Sequence, residues 1–463
     1  MSIFNNNLLA GAAAQSSSSA VYTIDQSIRF NDDDSAYMQR THGTGGNVDK
    51  WSLSFWMKRC TLGTEQYVFG SGANTSNTSD ISFNTSDQLI FWSYISAYQT
   101  RLITTQVFRD TSAWYHVVVV YDSGNAVSSE RARMYINGAR VTSFGTETYP
   151  SQNQDGIVGS NVNIGFGRYI SNGSNYFDGY LAEMNYVNGS ALDPSSFGEY
   201  NDSGIWIPKE YSGSYGTGGF YIKGEDSSDL GNDSSGNGND LTTSGLAAHD
   251  QVADSPTNNF AVYNILYNVG DVDFPTYSEG NLSVDYNFYG KRSPVSTFAI
   301  PTDSDAYCEF YIKTSSASNN SGVGIGQGDA NNTGNVVLTN GVTYNFNGNK
   351  TTGGSSTTFG NTYTAGDIIG VYFDQSDNEV DFYKNNTLEG SISLSGLSGD
   401  LFFLVANNTT SQQVIIANFG QDDTFAGNKT SGSAGASDSS GNGKFYYSRI
   451  SGAKALCSKS LGS

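Results

Sequence analysis

Short runs in which apolar or aromatic residues alternate with polar ones recur along most of this chain, and they constrain its fold more than any other feature. A period of two places every second side chain on one face of a strand, so each run describes a half-buried piece of sheet. Trp51 to Lys58, Leu89 to Ile95, His116 to Asp122 and Arg133 to Asn137 read this way in the first half. In the second half Tyr307 to Lys313, Gly322 to Gly326, Asp367 to Asp374, Glu379 to Lys384, Leu401 to Ala406 and Gln413 to Phe419 do the same. Val117 to Val120 is apolar without interruption, which predicts a strand covered on both faces. Between the runs stand turn formers such as Asp122-Ser-Gly-Asn125, Asn137-Gly138, Asn172-Gly173 and Asn188-Gly189. With 54 Gly, 30 Tyr and 26 Phe against five Met, the chain lacks helix-favouring composition. The expected class is all-β, built of antiparallel sheets.

A chain of 463 residues is too long for one sandwich and suits two, of about 150 to 200 residues each, with connecting segments. The patterning divides it into an N-terminal arm (1–20), a first sandwich (21–201), a looser Ser/Gly/Asp-rich connector (202–281), a second sandwich (282–425) and a Gly/Ser-rich ending (426–463). Isolated aromatics in the connector, Trp206, Tyr211, Tyr215 and Phe220, predict that it lies against a domain surface, since water would otherwise meet them. Asn319 to Gly360 is nearly all Asn, Gly, Thr and Ser and reads as long loops. Phe445, Tyr446 and Tyr447 are expected to tether the ending.

Acidic residues outnumber basic ones 44 to 23, a net charge of −21, which argues against nucleic acid as a partner. Cys60, Cys308 and Cys457 lie too far apart for a CxxC pair or a disulfide framework. Three histidines, His42, His116 and His249, leave little material for a zinc site or a Ser-His-Asp triad. No stretch of 18 apolar residues predicts a membrane span, and the apolar patch in residues 8–14 has no basic residue before it, unlike a signal peptide.

The hexapeptide DSSGNG occurs twice, at 233–238 and 438–443. Its residues all favour tight turns. The spacing of Asp233, Asn237 and Asp240 also resembles the alternating oxygens of a calcium loop, so these three are the candidate metal ligands and Ca2+ the candidate ion. Trp92, Tyr94 and Tyr98 are the candidate ligand-binding residues, because aromatic faces stack on the C–H side of a sugar ring. Trp92 and Tyr94 share one strand face and are expected to be both buried or both exposed, burial being the simpler expectation. No catalytic residue is assigned. Glu379-Val-Asp381-Phe-Tyr-Lys384 approaches the E-x-D-x-x-E pattern of glycoside hydrolases but carries Lys where the acid should stand. No G-x-S-x-G elbow occurs, and His116, opening an apolar strand, reads as structural.

Four segments, Trp51-Ser-Leu-Ser-Phe-Trp-Met-Lys58, Trp114-Tyr-His-Val-Val-Val-Val-Tyr-Asp122, Met134-Tyr-Ile-Asn-Gly138 and Tyr176-Phe-Asp-Gly-Tyr-Leu-Ala-Glu183, resemble in order and spacing the laminin-G-like, concanavalin-A-like jelly rolls, particularly those of marine bacteriophage structural proteins. Gly204 to Lys209 and Asp254 to Phe260 are similar to the connector that follows such domains. Tyr307 to Tyr311, Gly322 to Gly326, Gly366 to Asp374, Val380 to Asn385 and Asn418 to Gln421 resemble the SPRY family, departing from it at Cys308. These resemblances imply two jelly-roll sandwiches used for binding and a non-enzymatic virion appendage, a tail fibre or a head fibre, that attaches to host surface glycans or proteins. They imply localisation on an extracellular particle, anchoring to other virion proteins through the arm, and a homo-oligomer such as a trimer. A secreted or surface lectin and a polysaccharide depolymerase are the alternatives.

Overall fold

The computed structural model describes residues 22–267, 275–286, 293–315, 321–328, 340–407, 411–432, 436–447 and 451–461. The arm expected at 1–20 lies outside them. They divide into two compact units, residues 22–257 and residues 258–461.

In the first unit two eight-stranded sheets face each other. One runs, in spatial order, Ala139–Arg140, Ala132–Ile136, Tyr115–Asp122, Lys50–Arg59, Gly179–Asn188, Ser27–Phe30 and Gln251–Val252, with Phe220–Ile222 also paired to Gly179–Asn188. The other runs Phe144–Thr148, Tyr98–Val107, Gln88–Ile95, Asn77–Phe83, Gln66–Asn74, Asn163–Phe166, Tyr37–Thr41 and Thr242–Ser244. Their pairings are antiparallel. Alternate residues fill the space between them: Trp51 lies parallel to Tyr121 at 5.7 Å and meets the edge of Phe91 at 5.8 Å. Val117 and Val119 join this core, while Val118 and Val120 face a second cluster of Tyr135, Val187, Phe197, Tyr215 and Tyr221. The uninterrupted valine run is thus covered on both sides, as its sequence predicts.

Residues 202–281 do not form a connector. Those up to 257 belong to the first unit, where Phe220–Ile222, Thr242–Ser244 and Gln251–Val252 extend both sheets. Those from 258 belong to the second, where Ala261, Val262 and Tyr263 are core residues. The polar composition hides this because the short strands carry few large apolar side chains: Phe220, Tyr221 and Ile222 in the first, none in Thr242–Ser244 and Val252 alone in the last. Ion pairs enclosed in the protein fasten the closing segment: Lys58 Nζ lies 2.8 Å from Asp254 Oδ2 and Arg29 3.2 Å from Asp250, and the Trp114 indole donates to Asp254 Oδ1 at 3.0 Å. Such pairs gain little against their desolvation but lock one arrangement, since a lone buried charge would be costly.

The second unit has a seven-stranded sheet (Thr276–Ser278, Ser283–Tyr286, Gln413–Asn418, Ala306–Thr314, Ile368–Asp374, Glu379–Lys384, Thr387–Ser393) and a five-stranded one (Ser355–Thr358, Asn349–Thr352, Gly341–Asn345, Gly322–Gln327, Leu401–Ala406). Four strands lie inside the 319–360 stretch: Gly322–Gln327, expected as a strand, and Gly341–Asn345, Asn349–Thr352 and Ser355–Thr358, where loops were expected. Val342, Tyr344 and Phe346 alternate into the core, and the Thr and Asn between them occupy the other face. The Gly/Ser-rich ending is also part of this unit: Phe445, Leu456 and Cys457 are buried, and the Tyr446 and Tyr447 amides donate to the carboxylate of Glu309, at 2.7 and 3.0 Å.

Among the described residues the sole α-helix, Ser458–Leu461, has four residues, and no helix is long and apolar enough to cross a membrane.

Candidate functional site

Trp92, Tyr94 and Tyr98 come together on the outer face of the first unit's second sheet. Antiparallel register sets Phe69, Ile81, Phe91 and Leu102 side by side facing the core. The next row, one residue along, is therefore outward: Gly70, Asp80, Trp92 and Arg101. A further row holds Gly72, Thr78, Tyr94 and Tyr98. At the hairpin tip Ser96 adopts a left-handed φ of 58°, and its amide donates to the Ser76 carbonyl at 3.0 Å. Tyr98 is thereby folded back edge-on to Tyr94 (5.1 Å) and Trp92 (5.9 Å). Tyr98 is 46% exposed, and Trp92 and Tyr94 are half-buried. The shared environment expected of the two strand residues is what is found, though it is intermediate, not buried.

Residues 167–175 lie across the neighbouring strip. Tyr169 stacks on Tyr67 at 4.4 Å and approaches Trp92 at 6.1 Å, and Ser171 donates to Thr78 at 2.7 Å. Gly70 permits this close approach, since a Cβ there would stand 2.6 Å from Asp80 Oδ1 and 3.1 Å from Ile170. Asp80 is enclosed beneath, its Oδ2 accepting from Thr78 at 2.6 Å. Burial pushes its carboxyl well above the ordinary range. Arg101 escaped the sequence reading; its guanidinium lies 4.5 Å from the Tyr98 ring centre.

The other candidate residues are engaged in structure. Asp233 accepts four hydrogen bonds, from the amides of Tyr221, Ser235 and Asn239 and the Ser235 hydroxyl, at 2.8 to 2.9 Å. Asp240 accepts from the Asp233 amide, and the Asn237 side chain donates to the carbonyls of Gly216 and Gly219. The spacing that resembles a calcium loop serves here to capture backbone. Among the described residues no three His, Cys, Asp or Glu side chains are gathered to hold a metal. The second copy works alike: Asp438 accepts from the amides of Ser440, Asn442 and Ala455 and the Ser460 hydroxyl. Each repeat clamps a segment of its own unit. Asp233→Ala is expected to cost the first unit about 2 kcal/mol, because four donors lose their acceptor; urea unfolding followed by tryptophan fluorescence measures it.

His116 is enclosed between Trp56 (4.7 Å) and Trp206 (5.9 Å). The Trp206 indole N–H donates to Nδ1 at 2.9 Å, so the proton sits on Nε2, which contacts Ser54 Oγ at 2.8 Å. Glu379, Asp381 and Lys384 lie along one strand, with Asp381 accepting from Ser391 and Lys384 donating to the Thr362 carbonyl. The second unit offers a cavity of about 270 Å³ beside Asn264, Tyr267, Val295, Gln327, Asp400 and Phe402.

Residues 32–196 match the family model described as the concanavalin A-like lectin/glucanases superfamily, a laminin-G-type model. No curated protein matches the chain. Among solved structures it is similar to the SPRY domain of human HERC1 (17% identity over 31% of this chain and 91% of that one, TM-score 0.28). It is also similar to the heptameric SAP-like pentraxin of Limulus polyphemus (16%, 37% and 80%, 0.29) and to mouse laminin α1 domains LG4-5 (9%, 88% and 85%, 0.30). None of these three carries a function across.

Proposed function

We propose that the chain is a non-enzymatic glycan-binding protein whose first unit seats sugar rings on the Trp92, Tyr94 and Tyr98 face. The observation that carries this reading is an aromatic cluster held half-open to water on a lectin-type domain. The apolar face of a pyranose stacks on such rings while its hydroxyls stay solvated. Against catalysis stand a His116 enclosed as a neutral hydrogen-bonding ring and acids engaged as structural acceptors. Glycan arrays and calorimetry with polysaccharides test the reading; Trp92→Ala is expected to weaken binding about tenfold, the loss of one stacking contact of about 1.4 kcal/mol. Unchanged affinity in that variant would remove the site.

The finer reading is an attachment protein carried on a virus particle, supported by the four-segment resemblance to phage structural proteins. Binding of purified protein to host cells and to its parent particle tests it. Glycan binding without incorporation into a particle would favour a secreted or surface lectin instead, and release of reducing ends would favour a depolymerase.

A further inference from the structure

Arg101 stands beside Trp92 on this face with its guanidinium against the Tyr98 ring. In the first unit the other arginines of the sandwich are mostly matched by acids: Arg29 pairs with Asp250, Arg59 and Arg109 share Asp87, and Arg133 and Arg140 share Glu130. Acids exceed bases 44 to 23 in this chain, so a matched cation is the ordinary outcome. Arg101, among the described residues, makes no ion pair and no hydrogen bond to protein; its contact is the Tyr98 ring. It is half-buried and stands directly across from Trp92 in the sheet register. Residues so paired on one face have their Cβ atoms about 5 Å apart, so a ring seated on Trp92 brings its substituents within reach of the guanidinium. The carboxyl next along this row, Asp80, is enclosed and accepts from Thr78, and burial favours its uncharged form. A planar fork of N–H donors beside an aromatic surface matches a carboxylate or sulfate group far better than it matches a hydroxyl.

We propose that the Trp92, Tyr94 and Tyr98 face prefers glycans bearing anionic groups, uronate carboxylates or sulfate esters, with Arg101 as the residue that recognises the anion. The proposal rests on the glycan-binding reading. It predicts local selectivity only, because the net charge of −21 repels polyanions from the rest of the surface.

The test is calorimetry on the full chain with matched oligosaccharides: a neutral one, its uronate counterpart and its sulfate ester, at low and high salt. Both anionic forms are expected to bind about tenfold more tightly than the neutral one, with the difference shrinking as salt screens it. Arg101→Gln should abolish the difference and leave neutral binding intact, and Arg101→Lys, which keeps the charge but not the fork, should retain part of it. Trp92→Ala should weaken all three ligands together. Equal binding of neutral and anionic forms by the unaltered protein overturns this proposal and spares the glycan reading, as does an Arg101→Gln variant that loses both alike. If no oligosaccharide binds, both fall. A preference for only the uronate or only the sulfate identifies which anion the fork accepts and supports the assignment.

Discussion

Acidification from pH 6.5 to about 3 is expected to destabilise the first unit by about 5 kcal/mol through His116 alone. Burial between Trp56 and Trp206 pushes the imidazole down to about 3 from its ordinary 6.5. Both ring nitrogens are also committed, Nδ1 as an acceptor, so protonation requires breaking the bond from Trp206. The unfolded chain binds a proton on this residue below pH 6.5, whereas the folded chain does so only near pH 3. Stability is therefore full above pH 6.5, falls through that window and levels off below it. Tryptophan fluorescence reports this unit by itself, because the five tryptophans are Trp51, Trp56, Trp92, Trp114 and Trp206.

Other groups contribute slopes of both signs. The Asp87 carboxyl, despite burial, is drawn below its usual value by the Gly63 amide, Arg109 and Arg59, adding to acid sensitivity. Asp80 and Glu183, raised by burial, act in the opposite sense. The readout is therefore the difference between the protein and His116→Gln, which cannot titrate. Urea midpoints that fall with acid equally in both would show that the buried histidine does not govern acid unfolding.

What the sequence made legible follows from how each element is stabilised. Strands such as Lys50–Arg59, Tyr115–Asp122 and Glu379–Lys384 were visible to within a residue because alternation, or an uninterrupted apolar run, persists over six or more positions. Phe220–Ile222 and Gln251–Val252 were invisible as strands, since neighbours far along the chain, Gly179–Asn188 and Ser27–Phe30, pair them. The same holds for the site. Parity within one strand put Trp92 and Tyr94 on one face. Arg101 could not be placed, because a register shift between Ser93 and Tyr94 sets it opposite Trp92, where unbroken pairing from Tyr94 and Tyr98 would bring Thr100. The DSSGNG repeats were legible as turns, yet their work as clamps on Tyr221 and Ala455 depends on partners that no local pattern announces. Glu309 is the strongest case: an acid within an alternating strand reads as solvent-facing, and it is enclosed because the ending of the chain supplies its donors.

Raising the pH from 4.5 to 7 is accordingly expected to weaken the second unit by about 3 kcal/mol through Glu309. Burial pushes its carboxyl up to about 7, against the pull of the amides of Tyr447 and Tyr446 and the side chains of Asn418 and Tyr307. The folded chain thus keeps a proton that the unfolded chain has released across this window, and stability declines with rising pH until about 7, then levels off. Cys308 and Cys457, both buried in this unit, report its opening when trapped by dithiodipyridine, which reacts in mild acid, and located by peptide mass. Glu309→Gln cannot ionise and should show a flatter pH dependence than the unaltered protein; parallel losses in the two would remove Glu309 as the cause. Because His116 and Glu309 carry opposite slopes in different units, their contributions to the tryptophan signal and to cysteine trapping should move in opposite directions over pH 4.5 to 6.5. Variant-corrected contributions that rise and fall together would show that at least one of the two buried groups does not control its unit.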